Sequence, residues 1–93
     1  MFKVNEYFGG KVKSISFKTA KEPATVGVIA AGEYEFGTST VEVMTVTSGK
    51  LSAMLPGNTQ WRDYAAGESF TVAANQKFKV KADADTSYLC LYS

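Results

Sequence analysis

Three glutamates, two closely spaced lysines and a dense set of rings are the residues of this chain best suited by type and spacing to do chemistry. Glu33 and Glu35 alternate in "GEYEFG", so on an extended strand they share a face. Glu42 opens "EVMTVTSG", a β-forming run that ends seven residues later at Gly49. Lys11 and Lys13 sit in "GKVKSI", followed by Ser14, and such cationic and hydroxyl donors suit an anion. Thr45, Thr47 and Ser48 add hydroxyls, although Thr45 and Thr47 fall on the face opposite Glu42 and Met44 unless a bulge intervenes. Six Phe, five Tyr and one Trp supply flat apolar surface, much of which a small fold needs for its core. There is no histidine. The lone Cys90, inside the apolar run "SYLCLY", therefore has no base to activate it; a Cys–His mechanism is excluded, and a buried, inert thiol is expected.

The elements that must position these residues read as strands. Segments 11–18, 25–37, 41–49, 50–56, 61–65, 69–73, 77–82 and 87–93 are rich in Val, Thr, Tyr and Phe, and turn chemistry separates them in "SGK", "PGNT", "AAGE", "AANQ" and "DADT". No window sustains a helical period; 18–32 is interrupted by Pro23 and Gly27. The connection "KTAKEP" (18–23) reads as a mobile loop. Alternation turns Phe70, Val72, Phe78, Val80 and Ala82 inward, and leaves Lys77, Lys79 and Lys81 on an exposed or edge-protecting face. The last strand is apolar on both faces, which suggests a subunit interface. Short strands at this spacing predict an all-β sandwich or barrel, most simply a two-sheet jelly roll.

Size and charge narrow the function classes. The 93 residues suffice for one domain, 1–93. A net charge of +1 gives no global field for nucleic acid or a membrane surface. The N-terminal "MFKVNEYFGG" lacks the apolar stretch of a signal peptide, no run approaches a membrane span, and a cytoplasmic location is expected.

Two motifs give the fold a family. The Glu42-to-Gly49 spacing resembles the first motif of the cupin barrels, and "GESFTVAANQKF" (67–78) echoes the second. In that resemblance the four metal-ligand positions fall on Phe36, Thr38, Glu42 and Phe78. One carboxylate and one hydroxyl do not make the usual site for iron, zinc or nickel. End to end, "NEYFGGKVKSISF", "GVIAAGEYEF", "EVMTVTSGKLSAMLPG", "AGESFTV" and "TSYLCLYS" resemble the small bacterial pyrimidine/purine nucleoside phosphorylases of cupin fold.

That resemblance implies a single-domain cupin acting as a pentosyltransferase. It would convert purine and pyrimidine nucleosides plus inorganic phosphate into free base and pentose 1-phosphate, with broad base tolerance and neither metal nor other cofactor. Cleavage of the N-glycosidic bond leaves positive charge on the sugar, so Glu42 and Glu33 are the expected catalytic carboxylates. Tyr7, Lys11, Lys13, Phe36, Thr38, Thr45, Trp61 and Phe78 are the expected substrate contacts. A homodimer is expected, with no nucleic acid or membrane partner. The residues alone also admit a non-catalytic small-molecule-binding cupin, or an interaction domain.

Overall fold

The computed structural model describes residues 1–93. Ten strands form: β1 (Lys3–Tyr7), β2 (Val12–Lys18), β3 (Pro23–Ile29), β4 (Gly32–Gly37), β5 (Glu42–Ser48), β6 (Lys50–Met54), β7 (Arg62–Ala65), β8 (Ser69–Val72), β9 (Lys77–Ala82) and β10 (Thr86–Tyr92). The only helical element is a single 3-10 turn at Phe8–Gly10. All pairing is antiparallel, in a six-stranded sheet β1-β2-β3-β10-β5-β8 and a four-stranded sheet β4-β9-β6-β7. The all-β jelly-roll expectation therefore holds, although the two sheets do not close into one continuous barrel.

Residues of alternate parity fill the space between the sheets. Met44, Val46, Phe70, Val72 and Cys90 come from one sheet; Tyr34, Leu51, Ala53, Phe78 and Val80 come from the other. Phe70 joins the layers by meeting Tyr64 at 4.8 Å and Phe78 at 6.2 Å between ring centroids. Aromatic pairs at such separations stabilise by about 1 kcal/mol beyond the area they bury. Gly49 takes the chain from β5 in one sheet to β6 in the other, with φ +88°, and a Cβ there would lie 2.7 Å from Thr86 Oγ1. Only glycine meets both demands.

Two expectations about this frame are corrected. The stretch 25–37 is not one strand: it breaks at Ala30 and Ala31, and its halves enter different sheets. The segment 18–23 is a hydrogen-bonded hairpin end rather than a mobile loop. Thr19 N donates to Glu22 O at 2.9 Å, while Thr19 Oγ1 accepts from Glu22 N at 3.0 Å and from Lys21 N at 3.1 Å.

Thr38, expected to touch substrate, instead ties down a turn. Its hydroxyl donates to Ala73 O at 2.6 Å and accepts from Gln76 N at 3.0 Å, and it is buried. These bonds hold the 73–76 turn, where Asn75 is left-handed with φ +60°. Thr38→Ala should cost about 1–3 kcal/mol by leaving buried groups unpaired, and lower Tm by roughly 5–20 °C in a chain this size. A thermal melt monitored by circular dichroism reads the shift, and an unchanged Tm would contradict the assignment.

Candidate functional site

A cavity of about 360 Å³ lies between the sheets toward one end of the sandwich. The six-stranded sheet lends it Tyr7 and Ser14, with Glu42 and Met44 from β5 and Tyr88, Cys90 and Tyr92 from β10. The four-stranded sheet lends Glu35, Phe36, Gly37 and Phe78, and Phe8 of the 3-10 turn completes the wall. Period-two alternation explains the set. Tyr88, Cys90 and Tyr92 share the inner face of β10, and Glu42, Met44 and Val46 share that of β5. The pairing register then sets Tyr92 opposite Glu42 and Cys90 opposite Met44.

Glu42 is the half-buried carboxylate in this wall. Loss of water around it raises its pKa from the ordinary carboxylate value, against a smaller opposing effect of the Cys90 thiol, whose Sγ donates to Glu42 Oε1 at 3.5 Å. Burial first, and the Glu42 charge second, push the Cys90 thiol up to about 12. The thiol therefore stays protonated and serves as a hydrogen-bond donor rather than a nucleophile. Burial likewise raises the Tyr88 phenol to about 12, with Cys90 and Tyr7 adding to the shift. Tyr92 is also raised, chiefly by burial, and its hydroxyl lies 2.9 Å from Thr25 Oγ1. The phenols thus remain neutral donors at physiological pH.

Across the wall, Phe36 and Phe78 are cross-strand partners with ring centroids 5.9 Å apart. Phe8 meets Phe36 edge-on at 5.5 Å and Tyr34 at 5.0 Å, and Tyr7 meets Phe36 edge-on at 6.4 Å. The side from the four-stranded sheet is thus mainly aromatic, with Glu35 beside the rings, and the other carries hydroxyls and Glu42. No lysine or arginine lines it. Behind Ser14 runs a polar strip in which Asn5 Nδ2 donates to Ser14 Oγ at 3.2 Å and to Ser16 Oγ at 2.9 Å.

The pyrimidine/purine nucleoside phosphorylase family model matches residues 2–92. The chain belongs to this family. A relative from Marinobacter nauticus named pyrimidine/purine nucleoside phosphorylase is 61% identical over 92 residues, covering 99% of each chain. One of the same name from Pseudomonas aeruginosa is 60% identical over 92 residues, again covering 99% of each. Among solved structures, a Vibrio parahaemolyticus protein described as of unknown function superposes with a TM-score of 0.96 at 42% identity, covering 100% of this chain and 99% of its own. An RmlC-like cupin from Shewanella frigidimarina gives a TM-score of 0.78 at 20% identity, covering 100% of this chain and 84% of its own, and establishes the cupin fold.

In this family member, four of the expected contacts meet at the cavity: Tyr7, Phe36, Glu42 and Phe78. The others lie elsewhere. Lys11 and Lys13 are exposed and have the parity opposite to Val12 and Ser14, whose side chains turn inward; Lys13 Nζ approaches Glu6 at 3.9 Å instead. Glu33 lies on the outer face of β4, exposed, with Lys81 as its cross-strand neighbour. Thr45 points outward to Ser69, 2.6 Å between hydroxyl oxygens, in keeping with the parity conflict in its strand. Trp61 packs its ring under the Lys81 ammonium, 4.2 Å from the centroid, away from the cavity. The residues not expected there are Phe8, Ser14, Met44, Tyr88, Cys90 and Tyr92; Glu35, on the same exposed face of β4 as Glu33, also borders the cavity. The parity of β10 was the available signal for three of them.

Proposed function

We infer that this chain is a nucleoside phosphorylase that binds nucleoside and phosphate in the aromatic cavity and transfers the pentose from base to phosphate. The observation that carries the reading is the family match over residues 2–92; the cavity's one aromatic and one hydroxyl-bearing side agree with it. A phosphate oxygen bonds to the anomeric carbon as the bond to the base nitrogen breaks. The acidic proton of monobasic phosphate passes to the departing base, so atoms and charge balance. Glu42, as carboxylate, stabilises the cationic sugar. Because no cation lines the cavity, the hydroxyls of Ser14, Tyr7, Tyr88 and Tyr92 are the donors available for phosphate and sugar.

The reaction on this reading needs no metal, and purines and pyrimidines are both substrates. Two of the cupin ligand positions hold the rings of Phe36 and Phe78, which cannot coordinate, and Thr38 is occupied by its turn. Phosphate-dependent release of uracil from uridine and hypoxanthine from inosine, followed by chromatography, tests the proposal. Release without phosphate would instead mark a hydrolase, and nucleoside binding without release a non-catalytic cupin.

The active form on this reading is a homodimer formed through the outer face of the six-stranded sheet. Val4, Ile15 and Val26 lie side by side across β1, β2 and β3, and Leu89 of β10 continues the row. Val4 is 60% exposed and Ile15 and Val26 are 47% exposed, with Phe2 and Val28 also exposed on this side. A second copy is the natural cover, since an apolar face with few charges is self-complementary under two-fold rotation. The one thiol, Cys90, is unpaired and buried, consistent with cytoplasmic action, and no helix is long and apolar enough to cross a membrane.

A further inference from the structure

Phe8 is the one bulky residue in the cavity wall with a left-handed backbone. Its φ is +55°, and Gly9 at +66° and Gly10 at +90° continue the same conformation through the turn between β1 and β2. Glycine enters that region freely, whereas an aromatic residue there is strained. The sequence uses glycine at the second and third positions of this left-handed run and a large ring at the first.

The ring does not earn its place in the core. It is 46% exposed and lies outside both the buried cluster and the partly buried side chains packed against it. What it does touch are two rings of β4: Tyr34, tilted against it at 5.0 Å, and the cavity-lining Phe36, edge-on at 5.5 Å and 88° between planes. Strain held at a half-exposed ring on a cavity wall marks a surface kept for a ligand rather than for packing. The ligand best matched to such a ring is flat and aromatic.

We propose that Phe8 is a stacking platform for the nucleobase and a source of tolerance between purines and pyrimidines, an assignment that rests on the phosphorylase reading. Stacking engages the π face common to every base and reads none of the hydrogen-bonding edges that tell bases apart. The turn that sets the ring's direction is closed by a hydrogen bond from Lys11 N to Phe8 O at 3.4 Å.

The test compares Phe8→Tyr, which keeps a flat ring, with Phe8→Leu, which keeps apolar bulk without one. Each is checked for folding by circular dichroism and assayed with uridine and inosine at varied nucleoside and phosphate. Phe8→Leu should raise KM for both nucleosides by roughly tenfold or more and leave KM for phosphate unchanged. Phe8→Tyr should stay close to the parent. A wild-type nucleoside KM in Phe8→Leu, or an equal rise in nucleoside and phosphate KM, would overturn the proposal. If the unmodified protein shows no phosphate-dependent turnover, the phosphorylase reading fails by itself. Equilibrium binding of uridine and inosine then decides the stacking contact: weaker binding in Phe8→Leu but not in Phe8→Tyr upholds it, and any other pattern refutes it.

Discussion

Glu42→Gln is expected to lower kcat about thirtyfold or more while changing nucleoside KM little, and to make the protein more resistant to heat at neutral pH. The two effects have one cause. A carboxylate about 4 Å from a unit positive charge, at an effective dielectric near 20, stabilises it by roughly 4 kcal/mol. If about half of that survives as an advantage of the transition state over bound substrate, the loss is on the order of 2 kcal/mol, or about thirtyfold in rate. The same half-buried position raises the pKa of Glu42, chiefly by desolvation, so folding favours its neutral form. A group with a raised folded pKa contributes its stability in full below its unfolded value, and the contribution disappears as pH rises through the folded value. Glutamine is neutral throughout and carries no such loss. The gap in Tm between variant and parent should therefore widen from about pH 4 to pH 7. Parent turnover should fall as acid neutralises Glu42. Unchanged kcat in the variant would remove Glu42 from the mechanism, and a Tm gap independent of pH would contradict its burial.

The second large effect concerns a residue with no side chain. Gly27 of β3 lies between Ser14 of β2 and Tyr88 of β10 in the pairing register. A Cβ at position 27 would stand 2.4 Å from both Cζ and the hydroxyl oxygen of Tyr88. The phenol end of Tyr88 thus lies directly over the glycine, and at 7% exposure it has little room to retreat. Gly27→Ala should cost about 1–3 kcal/mol through overpacking, lowering Tm by roughly 5–20 °C. It should also disturb turnover, because the displaced ring is part of the cavity wall. Adding Tyr88→Leu, whose shorter side chain clears the new methyl group, should recover much of the Tm without recovering the activity. Unaltered melting and kinetics in Gly27→Ala would show that the wall yields more easily than its packing implies.

The readable parts of this fold were those where one face is apolar and the other polar. The patterns of β8 and β9 name their buried residues, Phe70 and Val72, then Phe78, Val80 and Ala82, directly. β1 escaped notice because its pattern is inverted: Asn5 turns inward to Ser14 and Ser16 while Val4 is exposed. The same inversion affects β2, where Ser14 faces the cavity side and Ile15 faces out. A sheet with an apolar outer face and a polar inner end does not follow the rule that apolar means inside. The inversion also explains the lysines. Lys11 and Lys13 looked like anion donors by type, but parity placed Ser14 in the cavity and left both of them outside.

Glu42, Phe36 and Phe78 were legible because the cupin spacing fixes both position and direction, and all three line the cavity. Tyr88, Cys90 and Tyr92 needed only the inner parity of the last strand to be joined to the face that carries Glu42. Phe8 could not be found this way: its place depends on a left-handed turn, and a phenylalanine before two glycines does not announce that it adopts the glycine conformation itself. Trp61 shows the opposite error, for a half-buried ring near a turn found its partner in Lys81 on the outer face.

Phosphorolysis as proposed needs a cup whose interior handles sugar, base and phosphate through Glu42, hydroxyls and rings alone. Its most direct test is phosphorus NMR of chelator-stripped protein, verified metal-poor, incubated with uridine and inorganic phosphate. Conversion of phosphate to pentose 1-phosphate at the rate of untreated protein is the predicted result. A rate that collapses on stripping and returns with an added divalent metal would contradict it.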